Sequence, residues 1–254
     1  MRSGRVFVSI LLLFLLLGAR AHALSLEPFD PELSYAPKKA ESTASYAVDP
    51  KDFPLYPSAY EPSDAERKSS DAFLLRVNRA CNTVTVYKRG ADGQYNEPVR
   101  VMLCSVGTGT PTGSFRTSDK YVWHELLGRV YGQYCTRITG RILFHSIPYT
   151  RMSHNSMESA EYNKLGTAAS MGCVRLACGD AYWVYVNCAA ETRVEIYDDS
   201  DPGPLGKPDL AKLDLTSPNA GWDPTDPNKD NPWAGTSINA PKPDDDLPAI
   251  LGIL

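Results

Sequence analysis

Between Phe73 and Tyr197 the chain is cut into short β-prone runs by turn residues, and this rhythm limits it to a mainly β fold. "FLLRVN" and "TVTVYKRG" flank the polar turn "RACN" and read as a hairpin. Turn chemistry follows in "ADGQYNEP", then a strand in "VRVMLCSVG". The Gly/Thr/Pro loop "GTGTPTGSFRT" (107–117) leads into a further strand at Phe115. "YVWHELLGRVYGQYCTRI" is aromatic and fits a strand or a short helix. "RILFHSIPY" is an apolar strand ending on His145-Ser146, and residues 150–169 are polar and loop-like. One helix is expected in "GDAYWVYVNCAA", where Ala181, Val184, Tyr185 and Cys188 recur at helical spacing. "TRVEIYD" closes the domain as a strand.

The flanks have a different composition. Residues 1–23 carry Arg2 and Arg5, an apolar run from Val6 to Leu17 broken only by Ser9, and the small-residue site Ala21-His22-Ala23. These are the parts of a secretory signal peptide, and the run is short of the roughly 20 residues a membrane span needs. The mature chain is expected to be exported without stable membrane insertion. Residues 24–70 and 199–254 are rich in Pro, Asp and other polar residues and are expected to be a linker and a low-order tail flanking a domain at 71–198. Trp222 and Trp233 are the tail residues able to dock on the domain. A net charge of −4 gives no electrostatic footprint for nucleic acid.

Six cysteines (Cys81, Cys104, Cys135, Cys173, Cys178, Cys188) in an exported chain permit three disulfides, in any of fifteen pairings. The stretch "SMGCVRL" suggests another use for Cys173. A cysteine acyltransferase needs a thiol, a histidine to move its proton, and backbone N–H groups for the oxyanion. Past the signal segment the histidines are His124, His145 and His154, all before Cys173, which excludes the papain-like order. His145 ends a strand, where a rigid scaffold presents a side chain. His154, in "RMSHNSME", reads as a solvated surface residue, and His124 as packed or exposed. Gly172 permits a tight turn and close approach of a carbonyl. The amides of Gly172 and Cys173 are candidate oxyanion donors. Arg175 is suited to a substrate carboxylate, or else to an ion pair. Residue chemistry alone leaves Cys173 open between nucleophile and structural cysteine.

"GTGTPTGSF", "FHSIPY" and "SMGCVRL" together resemble the catalytic domain of the L,D-transpeptidases, the YkuD type, over about half of the chain. His145 and Ser146 fall on that family's first His and the residue after it, and Ser170, Gly172, Cys173, Val174 and Arg175 on its Ser/Thr-His-Gly-Cys segment. Met171 stands where the second His is usual, and the loop between His145 and Cys173 is longer than usual. The resemblance implies a mainly β, YkuD-type β-sandwich with a short packed helix. It implies Cys173 as nucleophile, His145 as base, Ser146 as the group fixing the imidazole, and Gly172, Ser170 and Arg175 at the oxyanion or substrate. Peptidoglycan stem peptides would be the partners, in the bacterial cell envelope, with no metal or other cofactor and with carbapenems as acylating inhibitors. Trp123, Tyr131 and Tyr134 would line the groove. An L,D-carboxypeptidase, a sortase and a non-catalytic wall-binding module are the rival readings. The "TPTGSF" turn and Ser-x-Gly-Cys order disfavour the sortase.

Overall fold

A computed structural model describes residues 60–234; the signal segment, the linker up to residue 59 and the tail from 235 lie outside the described residues. The elements are α1 (Asp64–Lys68), β1 (Phe73–Asn78), β2 (Thr83–Lys88), β3 (Glu97–Ser105), β4 (Gly113–Arg116), β5 (Lys120–Leu126), β6 (Val130–Thr139), β7 (Ile142–Ser146), α2 (Ser159–Tyr162), β8 (Val174–Leu176), α3 (Cys178–Asn187) and β9 (Arg193–Tyr197).

The nine strands form one hydrogen-bonded sheet in the order β4-β9-β1-β2-β3-β8-β7-β6-β5. β1 and β2 are the expected hairpin, paired from Phe73↔Lys88 to Asn78↔Thr83. The ambiguous aromatic stretch is also a hairpin, β5–β6. β4, at one edge, returns to touch β6, so the sheet curls on itself. The two layers of the expected sandwich are thus two halves of one sheet joined through β3. The main core fills the inside of that curl: Phe73, Leu75 and Val77 from one half, Phe144, Val174 and Leu176 from the other, and Ala181, Trp183 and Val184 from α3. Each of the buried Val, Leu and Phe side chains contributes about 1.5–3 kcal/mol, which holds the halves together.

α3 lacks a capping side chain of its own at Ala177. Its orphan amides are satisfied from afar: Cys178 N donates to Asp223 Oδ2 (2.9 Å) and Gly179 N to Thr225 Oγ1 (2.8 Å). At its other end Lys120 Nζ donates to the carbonyls of Tyr185 (2.6 Å) and Cys188, the favourable place for a cation.

That capping corrects one expectation. Residues 199–234, read as a low-order tail, follow an irregular but packed path. Leu210, Leu213 and Ala220 are buried, and so are Asp223, Thr225, Asp226 and Asn231. The Pro/Asp/Asn composition supplies turns and caps here, Thr225 and Asn231 closing them with their own side chains. Near the other flank, α1 carries a capping box between Ser63 and Glu66 inside the stretch read as linker, and Tyr60 meets Phe73 edge-on at 6.3 Å. The three-disulfide reading is also overturned: all six cysteines are free, four of them buried.

Candidate active site

β8 is three residues long and runs parallel to β7, with Phe144↔Val174, His145↔Arg175 and Ser146↔Leu176 as partners. Cys173 immediately precedes it, so Cys173, Arg175 and His145 share a sheet face. The loop that delivers Cys173 is built against the Gly/Thr/Pro loop. A Cβ on Gly107 would lie 1.8 Å from Ser170 O, and one on Gly109 2.4 Å from Met171 O, so only glycine admits this backbone-on-backbone contact. Thr110 Oγ1 accepts from Gly107 N (3.0 Å) and donates to Gly172 O (2.7 Å), tying the two loops together.

Ser170 organises the turn. Its hydroxyl donates to Cys173 O (2.6 Å) and accepts from Gly172 N (3.1 Å). The Gly172 amide, expected to serve the oxyanion, is therefore already used inside the turn, and the Cys173 amide is the donor left beside the thiol. Gly172 itself is needed for space, since a Cβ there would meet Ile142 Cδ1 at 3.0 Å and Gly109 O at 3.1 Å.

The Cys173 thiol donates to Arg141 O (3.5 Å) and accepts from the Leu143 amide. Burial pushes it above its ordinary value. The Leu143 bond and the charges of Arg175 and Arg137 oppose this without overcoming it. His145 is buried, and burial lowers its imidazole to about 4; the bond to Ser146 pulls the other way, while Arg175 and His124 lower it further. Both groups are consequently neutral at pH 7. His145 Nδ1 lies 2.5 Å from Ser146 O, so Nδ1 carries the proton and Nε2 the basic lone pair. The contact uses the Ser146 main chain. Its hydroxyl instead accepts from Gln133 N (2.9 Å) and donates to Ile147 O (2.8 Å). No hydrogen bond joins the Cys173 thiol to the His145 ring among the described residues.

Several expected roles change. Arg175 Nη1 holds Glu161 Oε2 at 2.6 Å in a half-buried ion pair that Lys164 shares through Glu161 Oε1, so Arg175 already has its carboxylate. Tyr134 is buried against Tyr182 and Tyr185 of α3 and lines no groove. Trp123 and Tyr131 pack on the second core cluster, Trp123 edge-on to Tyr149 at 5.2 Å. His154 is no solvated surface residue: Nδ1 lies 2.6 Å from the buried Asp226 Oδ2, and Trp222 stacks on the ring at 5.9 Å. Met171 is exposed and offers nothing in place of an imidazole.

Other residues of the site carried little sequence signal. Tyr134 has φ +51, which breaks the strand's alternation and turns Gly132 and Cys135 to the same side. A Cβ on Gly132 would meet Cys135 Sγ at 2.9 Å and His145 Cβ at 3.0 Å, so glycine leaves room for the imidazole. The one hint was an isolated glycine inside a strand pattern. His124 pairs with Gly132 across β5–β6 and stacks on Tyr121 at 4.5 Å. No cluster of ligating residues able to hold a metal ion occurs among the described residues.

Comparison with known proteins bears on this geometry. Residues 73–196 match the family model YkuD, described as the L,D-transpeptidase catalytic domain. A stretch of 57 residues is 47% identical to YciB of Bacillus subtilis (strain 168), provisionally named an L,D-transpeptidase; it covers 22% of this chain and 28% of that protein. Among solved structures, an L,D-transpeptidase from Mycobacterium smegmatis is 19% identical over 50% of this chain and 58% of its own, with a TM-score of 0.41. An LD transpeptidase solved in complex with imipenem is 22% identical over 50% and 59%, with a TM-score of 0.40. The chain thus spans about a quarter of the curated relative and less than two thirds of these solved chains.

Proposed function

This chain belongs to the YkuD family, the L,D-transpeptidase catalytic domains, through residues 73–196, and we propose that it is an exported cysteine acyltransferase forming 3→3 cross-links between peptidoglycan stem peptides. The observation that carries the reading is the parallel β7–β8 pair, which sets His145 and Cys173 on one sheet face, with Ser146 O fixing the imidazole proton on Nδ1.

The reaction starts from a neutral pair. A χ1 rotation exchanges the Arg141 carbonyl for the imidazole as partner of the thiol. Cys173 Sγ attacks the carbonyl at the L-centre of the third residue of a tetrapeptide stem while Nε2 of His145 takes the thiol proton. The oxyanion forms against the Cys173 amide. As the C–N bond breaks, Nε2 returns the proton to the leaving amine of D-Ala, and a thioester remains. The side-chain amine of a second stem attacks it and gives its proton to Nε2. Sγ departs, recovers that proton, and the cross-link is complete. A carbapenem, whose β-lactam carbonyl is open to the same thiol, would acylate Cys173. The envelope outside the cytoplasmic membrane is the proposed location, in keeping with the sequence of residues 1–23.

Incubation with disaccharide-tetrapeptide, followed by mass spectrometry, tests this. Dimers with D-Ala release, absent in Cys173→Ala, are expected. Tripeptide without dimers would replace the transferase by a carboxypeptidase. No turnover with either common diamino acid would refute the catalytic reading.

A further inference from the structure

The polar contacts behind the active-site imidazole continue past Ser146. Ladder pairing between β6 and β7 covers only Thr136↔Phe144, Arg137↔Leu143 and Thr139↔Ile142. Opposite His145 and Ser146 the ladder is interrupted, because Tyr134 has turned into the left-handed region. There the end of β7 is tied to β6 by the Gln133 amide on Ser146 Oγ, at 2.9 Å. Where Gln133 sits therefore decides where the Ser146 carbonyl points, and that carbonyl orients His145.

Gln133 is itself completely buried and held by its side chain. Its carboxamide meets Cys178 Sγ at 3.3 Å and His154 Nδ1 at 3.1 Å. His154 Nδ1 is 2.6 Å from Asp226 Oδ2, and the Asp226 side chain has no exposed surface. A single ring nitrogen carries one proton or one lone pair; beside a carboxylate it carries the proton and donates it to Asp226, so the Gln133 carboxamide turns its oxygen to that N–H and its amino group to Cys178 Sγ. The ring plane is fixed by Trp222 stacked at 5.9 Å and Trp123 edge-on at 5.6 Å. Burying such a pair costs desolvation on both partners, which an apolar contact would avoid. Capping α3 does not require it, because Asp223 and Thr225 already do so.

We propose that Asp226 and His154, acting through Gln133 and Ser146, are positioning residues for His145, so that the C-terminal segment is a working part of the active site. The proposal rests on the dyad reading above. It assigns a role to a histidine outside the proposed dyad and to a segment beyond the family match, which ends at residue 196.

The test uses the full chain and reads alkylation of Cys173 by iodoacetamide at pH 7, peptide by peptide. The half-exposed Cys81, on the β1–β2 turn, serves as the internal reference. The assay needs no stem peptide. Two variants are compared, Asp226→Asn and His154→Leu, since a buried carboxylate can be needed for folding. Each is expected to slow Cys173 about tenfold relative to Cys81, the scale of a small misplacement of a reacting group. On tetrapeptide, kcat should fall while KM stays within about twofold of wild type, as when only the transition state loses support. Thr225→Val, from the same segment, should lower the melting temperature and leave the ratio unchanged. The positioning role is overturned if both folded variants alkylate at the wild-type ratio while His145→Ala is slow, or if Thr225→Val slows Cys173 as much as they do. A His145→Ala protein with wild-type alkylation overturns the dyad, and the positioning role with it.

Discussion

His145 is the group whose proton the proposed chemistry moves, and its response to pH follows from its burial. Loss of solvation holds the folded imidazole near 4, against an ordinary value of 6.5. As pH falls, the unfolded chain therefore takes up this proton first. The stability His145 allows is fully present above about pH 6.5 and is lost as pH drops toward 4. The gap corresponds to about 3 kcal/mol in full, of which about 2 kcal/mol is already lost at pH 5. Activity should hold where a free imidazole would be mostly cation. Rates of D-Ala release measured from pH 4 to 8 should show an acid limb in kcat/KM with its midpoint nearer 4 than 6.5. Urea unfolding at pH 7.5 and pH 5 should show wild type losing about 2 kcal/mol more than His145→Gln over that interval. An acid limb between 6 and 7, with equal losses in both proteins, would refute the claim that burial keeps this base neutral.

Perturbations at three further positions read other parts of the fold. Gly107→Ala puts a methyl group 1.8 Å from Ser170 O, so the Ser170–Cys173 turn must move by more than an ångström; D-Ala release should fall about a hundredfold and the melting temperature should drop. Gly140→Ala, with φ +49 and no atom within 4 Å, should cost only about 1 kcal/mol by denaturant titration and leave the rate intact. Asp223→Ala removes the N-terminal cap of α3 and should cost about 1–2 kcal/mol by the same titration. Burial raises the folded Asp223 carboxyl to about 7 despite its bonds to Thr225 and Cys178. Folding therefore favours its protonated form, and the advantage of wild type over Asp223→Asn should narrow as pH rises from about 4 to 7.

The strands were legible because alternation and turn chemistry are local. The β1–β2 hairpin, β3, β7, β9 and α3 all lie where the periodicity puts them. β8 was not, since three residues carry no period and pair in parallel with a strand far away in sequence. The sequence picks out the proposed nucleophile Cys173 and the strand that carries His145, and shows less of the contacts that support them. Which amide Ser170 would occupy depends on a two-residue turn, and Arg175 found Glu161 through a loop with no pattern. The tail misled for a physical reason. Low hydrophobicity and many prolines are the composition of disorder, but also that of a segment whose work is capping and turning. Asp223, Thr225 and Asn231 are polar because the groups they satisfy are buried backbone amides and carbonyls.

The long connection between His145 and Cys173 follows from the sheet itself. A parallel pair needs a crossover, and β8 must enter between β3 and β7 while running alongside β7. The chain leaves β7, crosses through α2 and returns, and the crossover must be fastened to keep so short a strand in place. It is fastened ahead of β8 and from within it. Ahead of the strand, Ser170 N donates to Val106 O (3.0 Å). Within it, Arg175 grips Glu161 of α2, while Tyr162 and Leu165 sink into the second core cluster. Further out, Met157 N donates to Gly221 O (2.8 Å) and Ser159 Oγ to Ala220 O (2.6 Å), so the crossover leans on the C-terminal segment. A substrate carboxylate seeking Arg175 would have to displace Glu161 and loosen that fastening. Recognition by Arg175 and a rigid Cys173 therefore oppose each other here, and the ion pair favours a rigidly held Cys173.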